Sequence, residues 1–315
     1  MYILKLKPVF KDYIWGGTKF RDEYGFQSEL TKLAEGWMLS CHKDGENIIE
    51  NGDFEGKTLT EVVYANPDYL GENGNAFEYF PILIKLIDAK NDLSVQVHPN
   101  NEYAMRVENE YGKTECWYIL DCDDDAELIY GFNKSITSKE FKEKIADNTF
   151  LETVNKVKVK KGDLFFIEAG TLHAIGKGIF LAEIQQNSNT TYRVYDYGRL
   201  GADGKPRELH VEKAIDVTNC TPPTRSTEPE GELINKNGYS TQLLTKCDLF
   251  NVEKVSVDTS YTSTADEKSF VSVLVADGNG RIEDIEFNKG DSLFIPANYG
   301  DFTITGKSEL IITRV

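Results

Sequence analysis

The sequence predicts a mainly β protein built from two related β-barrel domains, the first with helical insertions. Three observations lead to this. Two segments 128 residues apart are imperfect copies: Lys161-Gly162-Asp163-Leu164-Phe165-Phe166-Ile167-Glu168-Ala169-Gly170-Thr171-Leu172-His173 and Lys289-Gly290-Asp291-Ser292-Leu293-Phe294-Ile295-Pro296-Ala297-Asn298-Tyr299-Gly300-Asp301. Each reads as a Gly-Asp turn, a short apolar strand and a second turn signalled by Gly, Asn or Pro. A supersecondary unit repeated in this way indicates two related domains. Strand-like runs also dominate the chain, and after about residue 238 they are almost uninterrupted. Finally, 315 residues exceed one typical core and suit about two domains.

In chain order, strands are expected over residues 1–6, 80–87, 93–97, 115–120, 128–130, 154–159 and 164–167, with a last one over 309–313. Helices interrupt the first part. Thr58-Leu59-Thr60-Glu61 has the form of a capping box opening a helix towards Tyr64. Asn100 is placed to cap a helix over 101–110 and Ser138 one over 139–146, and a fourth helix is expected over 210–217. The stretch Cys220 to Gly231, with three prolines, reads as a linker. The chain is therefore divided near residue 225, into a β domain with helical insertions over 1–225 and a smaller β domain over 226–315.

Composition narrows the function classes. At 40% hydrophobic and 11% aromatic the chain has enough apolar material for packed cores, which excludes disorder as the default. A formal charge of −17, with no basic stripe against it, argues against nucleic acid and anionic membranes as partners. A small phosphorylated substrate stays open, provided that individual Lys and Arg residues form a local cationic patch. Neither a signal peptide nor a membrane span is expected. Five cysteines, odd in number and without a Cys-x-x-Cys pair, suit reduced thiols and a cytoplasmic location.

The candidate chemistry gathers on a few residues. Gln96 and His98 lie two apart at the end of an apolar strand and so face the same side; Pro99 then stops the ladder. Glu115 opens the next strong strand and is expected to lie beside them in the same sheet. His173 closes the first repeat, whereas the second has Asp301 there. Two imidazoles, a carboxylate and an amide oxygen form a set for a divalent metal of the zinc class, with positions left for water or substrate. Any one of these residues alone has a structural reading, as a hydrogen-bonded core histidine, a strand-edge charge or a buried amide.

The run Gly162-x5-Glu168-x-Gly170-x2-His173 resembles the second metal motif of the cupin superfamily, with Glu where Pro is usual. Both domains would then be cupin-type barrels, that is, double-stranded β-helices. The segment Phe80 to Asn100, together with Trp15-Gly16-Gly17, Glu35-Gly36-Trp37, Lys113-Thr114-Glu115, Gly170-Thr171-Leu172-His173-Ala174 and Thr190-Thr191-Tyr192-Arg193-Val194-Tyr195-Asp196, resembles type I mannose-6-phosphate isomerases of the short bacterial form. The match covers most of residues 1–215 and, more weakly, the terminal domain.

The resemblance implies one zinc ion per chain, held by Gln96, His98, Glu115 and His173. It also implies a zinc-dependent aldose–ketose isomerisation of mannose-6-phosphate and fructose-6-phosphate through an enediol. Lys113 and Arg193 become candidates for binding the sugar phosphate or polarising its hydroxyls, and Glu183 the candidate base. The structural alternatives are a solvated surface charge for Lys113 and Arg193 and an ordinary strand-exposed carboxylate for Glu183. Trp15 is a candidate pocket wall, with a core aromatic as the other reading. The family often carries Asp at the position of Asn189, so an acid–base role there is in doubt. Two other functions stay open: a non-catalytic sugar-phosphate-binding cupin, or a metal cupin with other chemistry.

Overall fold

The computed structural model describes residues 1–201 and 204–315. The chain forms two compact units, one of residues 10–35 and 86–227, the other of residues 1–9, 36–85 and 228–315. The second unit thus combines the C-terminal β region with two segments from the first third of the chain.

In the first unit, Leu164–Ile167 and Ile179–Gln186 flank Glu115–Cys122 as antiparallel neighbours. Val154–Lys158, Glu127–Phe132, His173–Ala174, Val95–Val97 and Tyr192–Tyr195 lie side by side in a second sheet. Trp117, Ile119, Phe165, Ile167 and Leu181 of the first group share one apolar core with Leu128 and Tyr130 of the second. Trp117 and Phe165 are completely buried, and full burial of a large apolar side chain contributes about 1.5–3 kcal/mol. The ladders run as open paths. The expected closed barrels are thus realised as layered sheets with free edges, because the connections between layers carry no continuous hydrogen-bond register.

The four expected helices form, with the second ending at Val107, the fourth beginning at Val211 and the cap of the third corrected, while the short helices Lys19–Asp22 and Gly71–Gly74 were not expected. Thr58 caps Leu59–Ala65 through a complete capping box with Glu61, and the Asn100 side chain caps Asn101–Val107 by accepting from Tyr103 N. At the third helix the cap is Thr137, one residue earlier than expected. Its hydroxyl accepts from Glu140 N while the Glu140 carboxylate accepts from Thr137 N, and Ser138 is already the first helical residue. A Thr with Glu three positions on satisfies two orphan amides; Ser138 has Phe141 at that position and satisfies fewer. Val211–Val217 forms the fourth helix.

In the second unit Gly300–Arg314 pairs with Asn251–Val257, Ser260–Ala265 and Val271–Ile282. Leu4–Lys7 adds to the edge of Ser292–Ile295, with Leu4 opposite Phe294. One face of these strands forms a core of Val255, Val273, Val275, Leu293, Ile295, Ile304 and Ile312. On the other, Phe270 stacks on both Phe80 and Phe294, at centroid distances of 5.4 and 5.0 Å.

The repeat holds at the level of single hydrogen bonds. In the first copy Asp163 accepts from Lys160 N at 2.9 Å, and in the second Asp291 accepts from Asn288 N at 2.8 Å. Gly162 N donates to Ile119 O and Gly290 N to Val275 O, at 2.9 and 2.8 Å. Both glycines have φ near +90°, a conformation that a Cβ would strain. The second turns also correspond, with positive φ at Gly170 and Asn298.

Candidate active site

The first unit brings the predicted metal residues together, though not as neighbours on one sheet. His173 pairs directly with Gln96 across the short antiparallel contact between their strands. Glu115 comes from the other layer, opposite Ile167 and Gln185. The expectation that Glu115 lies beside Gln96 and His98 in one sheet is therefore corrected. The carboxylate reaches the histidines across the interior, an arrangement that strand periodicity alone does not encode.

His98, Glu115 and His173 are all buried, and their ligand atoms lie within 4.8 Å of one another. Glu115 Oε2 is 3.7 Å from His98 Nε2, and Glu115 Oε1 is 3.7 Å from His173 Nε2. The two imidazole rings are 4.7 Å apart. His98 Nδ1 donates to Thr190 O at 2.9 Å and His173 Nδ1 to Thr171 O at 2.8 Å. A carbonyl only accepts, so each Nδ1 carries the proton and each Nε2 lone pair is turned towards Glu115. Burial pushes the His173 imidazole down to about 4, so it is neutral at pH 7.

This donor set suits a metal of the zinc class. Neutral imidazoles and a carboxylate binding tetrahedrally at about 2.0–2.2 Å lie roughly 3.3–3.6 Å from one another, close to the separations found. Gln96 turns its amide nitrogen to His173, with Nε2 3.4 Å from the ring Nε2, while its oxygen accepts from Ser94 Oγ at 3.3 Å. To join the set Gln96 needs a half-turn of its amide.

Lys113 completes the cluster and is not a solvated charge: it is 3% exposed. Its Nζ lies 2.6 Å from Glu115 Oε2, 3.2 Å from His98 Nε2 and 3.5 Å from Glu183 Oε1. Glu183 is equally buried, opposite Trp117 in the ladder, and accepts from Trp117 Nε1 at 2.9 Å through Oε2. Trp117 also sets its edge against the His173 ring at 5.2 Å. Sequence reasoning missed Trp117, although its spacing of two from Glu115 places both on one face.

Arg193 stands opposite Gln96 in the neighbouring strand. It donates through Nε to Ser94 Oγ at 3.3 Å and through Nη1 to Glu208 O at 2.8 Å. Trp15 packs in the core with Ile87, Leu93 and Trp117 and stacks on Tyr13, its core-aromatic reading. In the second copy Asp301 is exposed and accepts from Thr264 Oγ1 at 2.5 Å.

Comparison with known proteins identifies the family. A family model described as the phosphomannose isomerase type I catalytic domain matches residues 3–128, and one described as the mannose-6-phosphate isomerase cupin domain matches residues 239–315. The chain is 42% identical over 318 residues to the mannose-6-phosphate isomerase ManA of Bacillus subtilis, covering 99% of this chain and 98% of that protein. It is 37% identical over 315 residues to the mannose-6-phosphate isomerase of Streptococcus mutans, covering 99% and 98%. A crystal structure of the Bacillus subtilis mannose 6-phosphate isomerase superposes with a TM-score of 0.92 at 36% identity, over 100% of both chains. The chain belongs to the type I phosphomannose isomerase family.

Proposed function

We propose that the chain interconverts mannose-6-phosphate and fructose-6-phosphate by moving a proton between C1 and C2 through an enediol. It would do so with one zinc ion held by His98, Glu115, His173 and Gln96. The observation that carries this reading is the buried His98–Glu115–His173 cluster, with Lys113 and Glu183 at its border, in a member of this family. Bound there, zinc supplies a Lewis acid that favours negative charge on the sugar oxygens.

The protein residues supply the rest. Glu183 has one oxygen fixed by Trp117 and the other towards Lys113, so its carboxylate is held ready to take a proton from one carbon and return it to the next. The Lys113 ammonium keeps two buried carboxylates in one site compatible and offers a point charge to the sugar hydroxyls. Arg193 provides a second cation, to bind the sugar phosphate or to polarise the hydroxyls near the reacting carbons. Partners are accordingly small sugar phosphates, with neither nucleic acid nor membrane. No helix among the described residues is long and apolar enough to cross a membrane. The five cysteines are free, which supports a cytoplasmic location.

The test is a coupled assay for fructose-6-phosphate formed from mannose-6-phosphate. Activity is expected to stop on chelation and return with zinc. Full activity in protein shown to be metal-free would overturn the zinc reading, and no turnover in zinc-loaded protein would favour a non-catalytic sugar-phosphate binder.

A further inference from the structure

We propose that Glu110, which no part of the isomerase chemistry uses, is a positioning residue for the metal: it fixes His98 through the carbonyl of Thr190. The argument starts at the imidazole. The His98 Nδ1–H···O=C bond to Thr190 is what turns Nε2 towards Glu115. That carbonyl lies in the turn between Ile179–Gln186 and Tyr192–Tyr195, so His98 is only as well oriented as residues 186–190.

The turn is held from two sides. On the inside, the fully buried Gln185 donates from Nε2 to Gln186 O at 2.7 Å and to Ser188 O at 2.6 Å. Gln186 is tied back in turn, donating to Asn101 Oδ1 at 2.8 Å and accepting from Thr114 N at 3.0 Å. Within the turn Thr190 N donates to Ser188 Oγ at 3.2 Å, and from outside it Glu110 reaches in with one oxygen. Glu110 Oε2 accepts from Thr190 Oγ1 at 3.1 Å and, over a longer 3.4 Å, from Asn189 N. The first bond holds Thr190, whose carbonyl orients His98, and the second holds the residue just before it. The Thr190 carbonyl, which Glu110 holds from one bond further out, is a partner of the kind that fixes the tautomer and ring angle of a ligating histidine, and loss of such a partner typically costs about 10–100-fold in metal affinity. The inference rests on His98 being a ligand.

The test measures zinc dissociation constants by competition with a chromophoric chelator, together with thermal melting of the metal-free proteins. Glu110→Ala is expected to weaken zinc binding by about 10–100-fold. Glu110→Gln, which keeps an acceptor oxygen for both bonds, should stay within about threefold of the parent. Thr190→Val should weaken binding in the same direction, and the double variant should be no worse than Glu110→Ala, because Thr190→Val removes one of the two bonds that Glu110→Ala removes.

Three results would overturn the proposal. One is an unchanged zinc constant in Glu110→Ala with only a lower melting temperature, the mark of a purely structural role. Another is Glu110→Gln behaving like Glu110→Ala, which would make the effect one of charge. The third is additive losses in the double variant. His98→Ala keeps the two readings apart. If it retains full zinc affinity, the ligand assignment itself fails; if it loses zinc while Glu110→Ala does not, only the positioning role fails.

Discussion

Lys113 Nζ lies 2.6 Å from Glu115 Oε2, with both side chains almost completely withdrawn from water. A buried cation between two buried carboxylates is a compensation that the metal-free protein needs most. Replacing Lys113 by Met leaves Glu115 and Glu183 facing each other without it. Removing one partner of a buried pair costs of order 3–5 kcal/mol. The metal-free Lys113→Met variant should therefore have a clearly lower denaturation midpoint, and zinc should raise that midpoint more than it does in the parent. Equal responses to zinc in the two proteins, read by denaturant titration, would rule this out.

Arg193 is expected to act on the substrate and not on the metal. Arg193→Ala should lower kcat by about a hundredfold or more, the loss typical of one charge-stabilising group, with zinc content near one per chain. Unchanged kinetics would return Arg193 to a purely structural task, namely its bonds to Ser94 and Glu208.

The two copies of the Gly-Asp unit predict metal stoichiometry. Elemental analysis of purified protein should give close to one zinc per chain, falling near zero in His173→Ala. Asp301 is exposed and engaged by Thr264, and a lone carboxylate without further ligands is a poor zinc site. A ratio near two, or zinc that survives loss of His173, would give the second copy a function of its own.

Gly176 tests the backbone just beyond His173. A Cβ there would come within 1.7 Å of Glu127 O, a contact that only movement of the chain can relieve. Gly176→Ala should cost about 1–3 kcal/mol, as overpacking does. Chemical denaturation with the same m-value but a lower midpoint is the expected result, and an unshifted midpoint would show that the strand yields freely.

Much of this was legible in the sequence because it is local. The strand Leu164–Ile167 has the bounds that its apolar run predicts, and Thr58 caps its helix as its spacing to Glu61 requires. The candidate ligand residues were found from their types and a family resemblance. What stayed hidden depends on pairing between distant segments. Period-two alternation shows that Glu115 has a buried face but not which layer it occupies. The pairing of Glu183 with Trp117, and the association of residues 36–85 with the C-terminal unit, are set by registers that leave no local signature.

The pairing of Leu4 with Phe294 bears on how the chain is made. On a ribosome elongating at about 5–20 residues per second, some 290 residues separate these partners, a delay of about 15 s to a minute. Throughout that interval the strand Leu4–Lys7, with Leu4 and Leu6 buried in the finished protein, can pair only along its other edge, with Ile48–Ile49. Nascent chains should therefore present this half-paired strand to holdase chaperones until residues 292–295 emerge, a demand that a circular permutant opened near residue 225 would relieve.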